Sequence, residues 1–179
     1  ETLAWKEALS IHTEKLPLTD DDALTAFVAA AGERMGAIHV MVCNGRSAPV
    51  RKPLTEVTPE EWSCAFAETL RTDWKAVLAA LPYLERAQDP AVVLLTDSAL
   101  HRPGPLEGVA AVCAAGVESM TKTLASELAS RRIRVNAAAL GGGVSDLARA
   151  VLFLASQAAS YCTGTLLEAG NTDVREVEA

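Results

Sequence analysis

The chain predicts an α/β fold in which a parallel sheet is covered by helices on both faces. Three observations carry this. Ala91-Val-Val-Leu-Leu-Thr-Asp97 and Ile133-Arg-Val-Asn-Ala-Ala-Ala139 are near-continuous apolar runs, the pattern of strands buried on both sides. Between them, Cys113, Val117, Met120, Leu124 and Leu128 fall at spacings of four, three, four and four, one face of a helix. Further strand-like runs alternate with helical ones along the rest of the chain, as in a parallel sheet with crossover helices.

The elements follow in order. Glu1 to Ser10 reads as a short helix, and Ile11 to Leu18 as an edge or terminating strand because of Pro17. Thr19 is expected to cap a helix whose first turn, Asp20-Asp-Asp22, suits the positive end of the helix dipole. Leu24, Phe27, Val28 and Ala31 give that helix an apolar face, and Gly36 stops it. Ala37-Ile-His-Val-Met-Val-Cys-Asn44 is the next strand, followed by a Gly45–Pro49 loop.

Thr58-Pro-Glu-Glu61 is a strong helix start: a capping Thr, Pro in the first turn, and Glu61 to close the capping box. The helix is expected to run unbroken to Leu81, with a wide apolar face formed by Trp62, Phe66, Leu70, Trp74, Val77, Leu78 and Leu81. Such a width suits packing on the sheet at one side and on a second surface at the other. After the Ala91 strand comes a loop, His101-Arg-Pro-Gly-Pro-Leu-Glu-Gly108, then the striped helix and the Ile133 strand. Leu140 to Val144 is a loop in which Gly141 to Gly143 offer a weak candidate anion nest. Ser145 is then expected to cap a helix carrying Leu147, Val151, Leu154 and Ala158. Tyr161 to Glu168 gives the last strand, and Asn171 to Ala179 a polar tail.

Length and composition suit a single domain, residues 1–179, half apolar and 22% charged. A net charge of −7, with Arg51-Lys52 and Arg131-Arg132 as the only adjacent basic pairs, argues against a nucleic-acid partner, which needs clustered Lys and Arg. No apolar run reaches membrane-spanning length and no signal-peptide pattern is present, so no membrane partner is expected. Cys43, Cys64, Cys113 and Cys162 lie far apart, and His12, His39 and His101 are scattered. This predicts free thiols, no metal site and a cytoplasmic location. The chain begins at Glu1 rather than Met, which leaves room for residues upstream.

Gly116-Val-Glu-Ser-Met-Thr-Lys-Thr-Leu-Ala-Ser-Glu-Leu-Ala129 followed by Ile133-Arg-Val-Asn136 resembles the C-terminal half of a short-chain dehydrogenase/reductase. The resemblance runs in order from about Leu16 to Gly170. It includes Leu18-Thr-Asp-Asp21 after the family's third strand and Gly36-Ala-Ile-His-Val-Met-Val-Cys-Asn-Gly45 at its fourth strand and Asn-Asn-Ala-Gly turn. Pro53-Leu-Thr-Glu-Val-Thr-Pro-Glu-Glu-Trp62 matches the approach to the fourth helix, and Val151-Leu-Phe-Leu-Ala-Ser156 with Thr163-Gly164 the last helix and strand. It implies a doubly wound, Rossmann-like parallel sheet with the N-terminal part of the nucleotide-binding half missing or unseen. The family's first strand is central, so its loss should expose an apolar strand edge at Ala37 to Asn44.

In the family a Tyr is the acid/base for hydride transfer between nicotinamide and a carbonyl carbon. A Lys four residues on lowers its pKa and holds the nicotinamide ribose, and a Ser polarises the substrate oxygen. An Asn in the fourth helix holds a relay water. Carried over position by position, the Tyr falls on Ala110, the Lys on Ala114, the Ser on Asp97 and the Asn on Thr69. The other tyrosines, Tyr83 and Tyr161, have Ala87 and Thr165 four residues on. Asp97 or Ser98 remains a candidate to hold a substrate oxygen, and His101 a candidate surrogate base, although a strand-end Asp and a loop His are more often solvated.

For the cofactor, the family's Gly-x-x-x-Gly-x-Gly turn is absent among the eleven glycines. The adenine-contacting Asp aligns with Pro17, and the Pro-Gly after the sixth strand with Leu140-Gly141. At most Asn44 is a cofactor-binding candidate. The expected role is a catalytically degenerate subunit that binds no cofactor itself. It would pair with a homologous active dehydrogenase, the 3-hydroxyacyl-CoA and 3-oxoacyl types being the analogues, carrying NAD or NADP in a heterotetramer. The alternatives are an active oxidoreductase with substituted catalytic groups and a cofactor-free ligand-binding protein with an acidic pocket at Asp97.

Overall fold

The computed structural model describes residues 11–97 and 103–170. The expectations for Glu1–Ser10, Ser98, His101 and Asn171–Ala179 lie outside the described residues. Four parallel strands form one sheet in the order β1 (Val40–Cys43), β2 (Ala91–Asp97), β3 (Arg134–Leu140), β4 (Leu166–Ala169). Among the described residues five α-helices connect or flank them: α1 (Asp21–Met35), α2 (Pro59–Phe66), α3 (Thr72–Leu84), α4 (Gly108–Leu128) and α5 (Val144–Ala155).

Successive strand residues point to opposite faces, and the core divides accordingly. Val92, Leu94, Val135 and Ala137 meet α1, α3 and α4 through Leu24, Val28, Val77, Leu84, Val117 and Leu124. Val93 and Ala138 face the other way, onto Ala150 and Leu154 of α5. Both faces of β2 and β3 are covered, which is why these runs read as continuously apolar.

Most expected elements form, with local corrections. Ile11–Leu18 is not a strand: Ile11 is exposed, and Leu18 and Thr19 instead offer their carbonyls to Thr72 and Arg71. Asp20, not Thr19, caps α1, its carboxylate accepting from the amides of Asp22 and Ala23 at 3.2 and 3.0 Å. Gly36 ends α1 at φ 76°, a conformation that favours glycine. The Thr58 capping box is complete, with Glu61 reaching back to the Thr58 amide at 2.9 Å.

The helix that follows is not uniform. Between α2 and α3, Ala67–Arg71 forms a π-helical turn, and the helix then continues to Leu84 with Pro82 in its last stretch. Thr72 sits at the junction, its hydroxyl 3.0 Å from the Ala67 carbonyl and 3.1 Å from that of Leu18. A side chain bonding back into the ladder is one way such a wide turn is held.

At the other end, Gly143 rather than Ser145 precedes α5, and its carbonyl accepts from Asp146 and Leu147. Ala159, not Ala158, is the buried residue after α5. Gly142 lies against Gly170, where a Cβ would come within 2.9 Å of its Cα, and Asp146 Oδ2 stands beside both loops. These glycines serve close backbone approach, and the neighbouring carboxylate opposes an anion nest.

Buried Asn136 ties β3 to the segment before β4. Its amide donates to the Cys162 carbonyl at 2.9 Å and its oxygen accepts from the Thr165 amide at 3.1 Å. Buried Arg134 donates to the carbonyls of Leu154, Ser156 and Ala159, satisfying the C-terminal end of α5. As expected, β1 lies at the sheet edge, with Val40 and Val42 exposed at 40% and 43%. All four cysteines are free; Cys43 and Cys113 are buried, whereas Cys64 is exposed and Cys162 half-buried. Among the described residues no helix is long and apolar enough to cross a membrane, and no group of His, Cys, Asp and Glu is arranged to hold a metal.

Candidate active-site cavity

Ligand sites in parallel sheets form at the C-terminal ends of the strands, where the connecting loops diverge. Here β1 and β2 end in Cys43 and Asp97, and a cavity of about 370 Å³ opens beyond them. It gathers Asn44, Thr69, Asp97, Ala110 and Ala114, five positions spread over 71 residues of sequence. Ala110 and Ala114 are one helical turn apart on α4 and both line the wall with methyl groups.

Two close contacts bring the walls together. Gly116 of α4 receives Leu70 so tightly that a Cβ there would lie 2.8 Å from its Cδ1. Gly45, after β1, presses on the π-helical turn: a Cβ would stand 2.7 Å from the Thr69 carbonyl, 2.9 Å from that of Glu68 and 2.6 Å from Asp73 Oδ1. The Gly45 amide donates to Asp73 Oδ1 at 2.8 Å. A one-residue expansion of the helix therefore coincides with the point where the loop after β1 docks.

Asp73 stands just behind this wall, 1% exposed, and its Oδ2 has no hydrogen-bond partner. Burial pushes its carboxyl up to about 6, opposed by the Gly45 amide. Burial also raises the Cys43 thiol, with the Asp73 charge adding to the effect. Cys113 lies between the two alanines; burial raises its thiol and a hydrogen bond with Thr69 opposes the shift. A thiol moved upward is a poor nucleophile or base near neutrality.

Asp97 is paired with Arg46, Nη2 to Oδ2 at 3.5 Å. The expected acidic pocket is therefore corrected: Arg46 partners the carboxylate, and Arg51 also lines the cavity. Neither Tyr83, packed against Gly32 and Arg86, nor Tyr161, 80% exposed, lines it. Among the described residues the lining contains no Tyr, Lys or His. At Ala110 and Ala114, where the family resemblance places a Tyr and a Lys, the wall offers two methyl groups and no amine.

The sequence reasoning missed Arg46, Arg51 and Asp73. The signal for Asp73 is a lone acid between Leu70 and Val77 on an otherwise apolar helical stripe. For the arginines it is their position in the loop after a parallel strand.

The family model described as Enoyl-(Acyl carrier protein) reductase matches residues 4–142. The chain is 27% identical to a 3-oxoacyl-(acyl-carrier-protein) reductase of Thermotoga maritima, over 85% of this chain and 72% of that protein. It is 30% identical to Dehydrogenase/reductase SDR family member 4 of Pongo abelii, over 83% of this chain but only 64% of that protein. A carveol dehydrogenase from Mycobacterium avium, solved in complex with NAD, superposes with a TM-score of 0.84 at 22% identity, covering 93% of this chain and 76% of that one. With the family model matching well over half of its residues, the chain belongs to the short-chain dehydrogenase/reductase family.

Proposed function

We propose that this chain is a non-catalytic short-chain dehydrogenase/reductase subunit, which pairs with an active homologous NAD(P)-dependent dehydrogenase and stabilises a hetero-oligomer. The observation that carries the reading is the pair of methyl groups, Ala110 and Ala114, at the cavity wall. Acid/base chemistry there needs a side chain that can hold or release a proton at the substrate oxygen. Among the described residues the titratable candidates nearby are a guanidinium-paired carboxylate and a buried thiol whose pKa is raised. Neither replaces a phenol activated by an ammonium group.

The outer surface supports a binding role. Trp62, Trp74 and Leu78 on the long helix and Val112 on α4 remain exposed, as do Val144, Leu152, Phe153 and Tyr161 around α5. Exposed large apolar side chains grouped on two helical surfaces suit oligomer contacts. The 3-oxoacyl reductase relative suggests an acyl-processing partner, by analogy alone.

The test is to purify the full chain alone and mixed with a homologue that carries Tyr-x-x-x-Lys, then measure mass by light scattering and NAD(H) and NADP(H) binding by calorimetry. A mixed oligomer and no dinucleotide binding by the isolated chain are expected. Nicotinamide-dependent turnover by the isolated chain, or two proteins that stay separate at working concentration, would overturn the reading.

A further inference from the structure

We infer that the cavity at the ends of β1 and β2 is a binding site for a small organic anion, specifically a carboxylate carrying an apolar tail. The inference rests on the reading of this site as non-catalytic, and it names what the vacated chemistry leaves behind. Among the described residues three charged side chains line the cavity: Arg46, Arg51 and Asp97. Arg46 is committed to Asp97 at 3.5 Å, while Arg51 makes no ion pair among the described residues. The described lining thus carries one positive charge in excess. A guanidinium presents paired N–H donors in the fork geometry that matches a carboxylate.

The remaining wall is suited to a hydrocarbon. Val50, Leu95, Val109, Ala114 and Val117 line it, and the small side chains of α4 leave the volume open. A cavity of about 370 Å³ with apolar walls and a few polar groups is within the usual range for small-molecule sites. Ser47 and Thr96 add hydroxyl groups able to donate to the same anion. A cationic ligand would face the surplus guanidinium and lose water without compensation. A plain inorganic anion would leave the apolar wall unused.

Octanoate is the probe, titrated into the full chain by calorimetry, with octylamine as the charge-reversed control. Saturable octanoate binding that weakens about tenfold in Arg51→Gln is expected, the loss typical of one charge-assisted contact. Octylamine should give no heat above dilution. The melting temperature of Arg51→Gln, an exposed substitution, should match that of the parent, which separates lost binding from lost folding. No octanoate binding, unchanged binding in Arg51→Gln, or equal binding of octylamine would each overturn the proposal. NADH run in the same calorimeter tests the non-catalytic reading independently: dinucleotide binding with turnover defeats that reading, whereas octanoate results alone decide the anion site.

Discussion

Substituting Asp73 by Asn should change how stability depends on pH, and the size of the change follows from the burial of one carboxylate. Asp73 is 1% exposed, donates nothing when ionised, and has one oxygen bonded to the Gly45 amide and the other without a partner. Its carboxyl is raised from 3.8 to about 6 by burial. The folded state therefore holds this proton more tightly than the unfolded chain. This group's contribution is greatest below about pH 4, declines as pH rises between 4 and 6, and is constant above. A shift of about two units corresponds to roughly 3 kcal/mol lost across that window. Asn keeps an oxygen for the Gly45 amide and cannot ionise.

The stability of Asp73→Asn relative to the parent should thus improve by about 2–3 kcal/mol from pH 4 to pH 7.5, a difference in which other titrating groups cancel. Urea unfolding followed by circular dichroism at each pH measures it. Thermal melting should show the same trend, about 6–12 °C of relative change for a domain of this size. Two stability curves that run parallel through pH 4–7.5 would refute the argument, because they would mean Asp73 is solvated or paired in solution.

Three further outcomes follow from the same contacts. Gly45→Ala forces a methyl group against the carbonyls of Glu68 and Thr69 and should destabilise the fold by about 2–4 kcal/mol, read as a lower urea midpoint. Asn136→Ala leaves the Thr165 amide and the Cys162 carbonyl without their partner and should lower stability by roughly 2–3 kcal/mol in the same assay. In the native protein at pH 7.5, iodoacetamide should label exposed Cys64, slowly because the hydrogen bond with Glu68 raises its thiol, while Cys43 and Cys113 stay protected until denaturant is added. Peptide mass spectrometry checks this, and early labelling of Cys113 would contradict its burial.

Much of the fold was legible in the linear pattern because buried parallel strands and capped amphipathic helices are local signals. The Ala91–Asp97 run, the Thr58–Glu61 capping box and the Cys113–Leu128 stripe each state their own conformation through nearest neighbours. The spacing of Ala110 and Ala114 on one helical face was equally readable, and the cavity wall bears them both. Where local signals compete, the chain alone misled. Thr19 and Asp20 both suit a cap, and the helix took the carboxylate. Ser145 looks like a helix start, yet the close approach of Gly142 to Gly170 places the turn earlier.

What the sequence by itself determined was the order of strands and helices and the residue types, Ala110 and Ala114 among them, that stand one helical turn apart on one face, since both depend on residue type and short spacing. Only the tertiary structure decided the electrostatics of the cavity. Arg46 reaches Asp97 across 51 residues and Gly45 reaches Asp73 across 28, so the sign of the pocket's charge and the fate of a buried carboxylate depend on long-range closure. The π-helical turn belongs to the same class. No periodicity announces it; it lies where Gly45 docks against the helix and where the Thr72 hydroxyl donates to the Leu18 carbonyl.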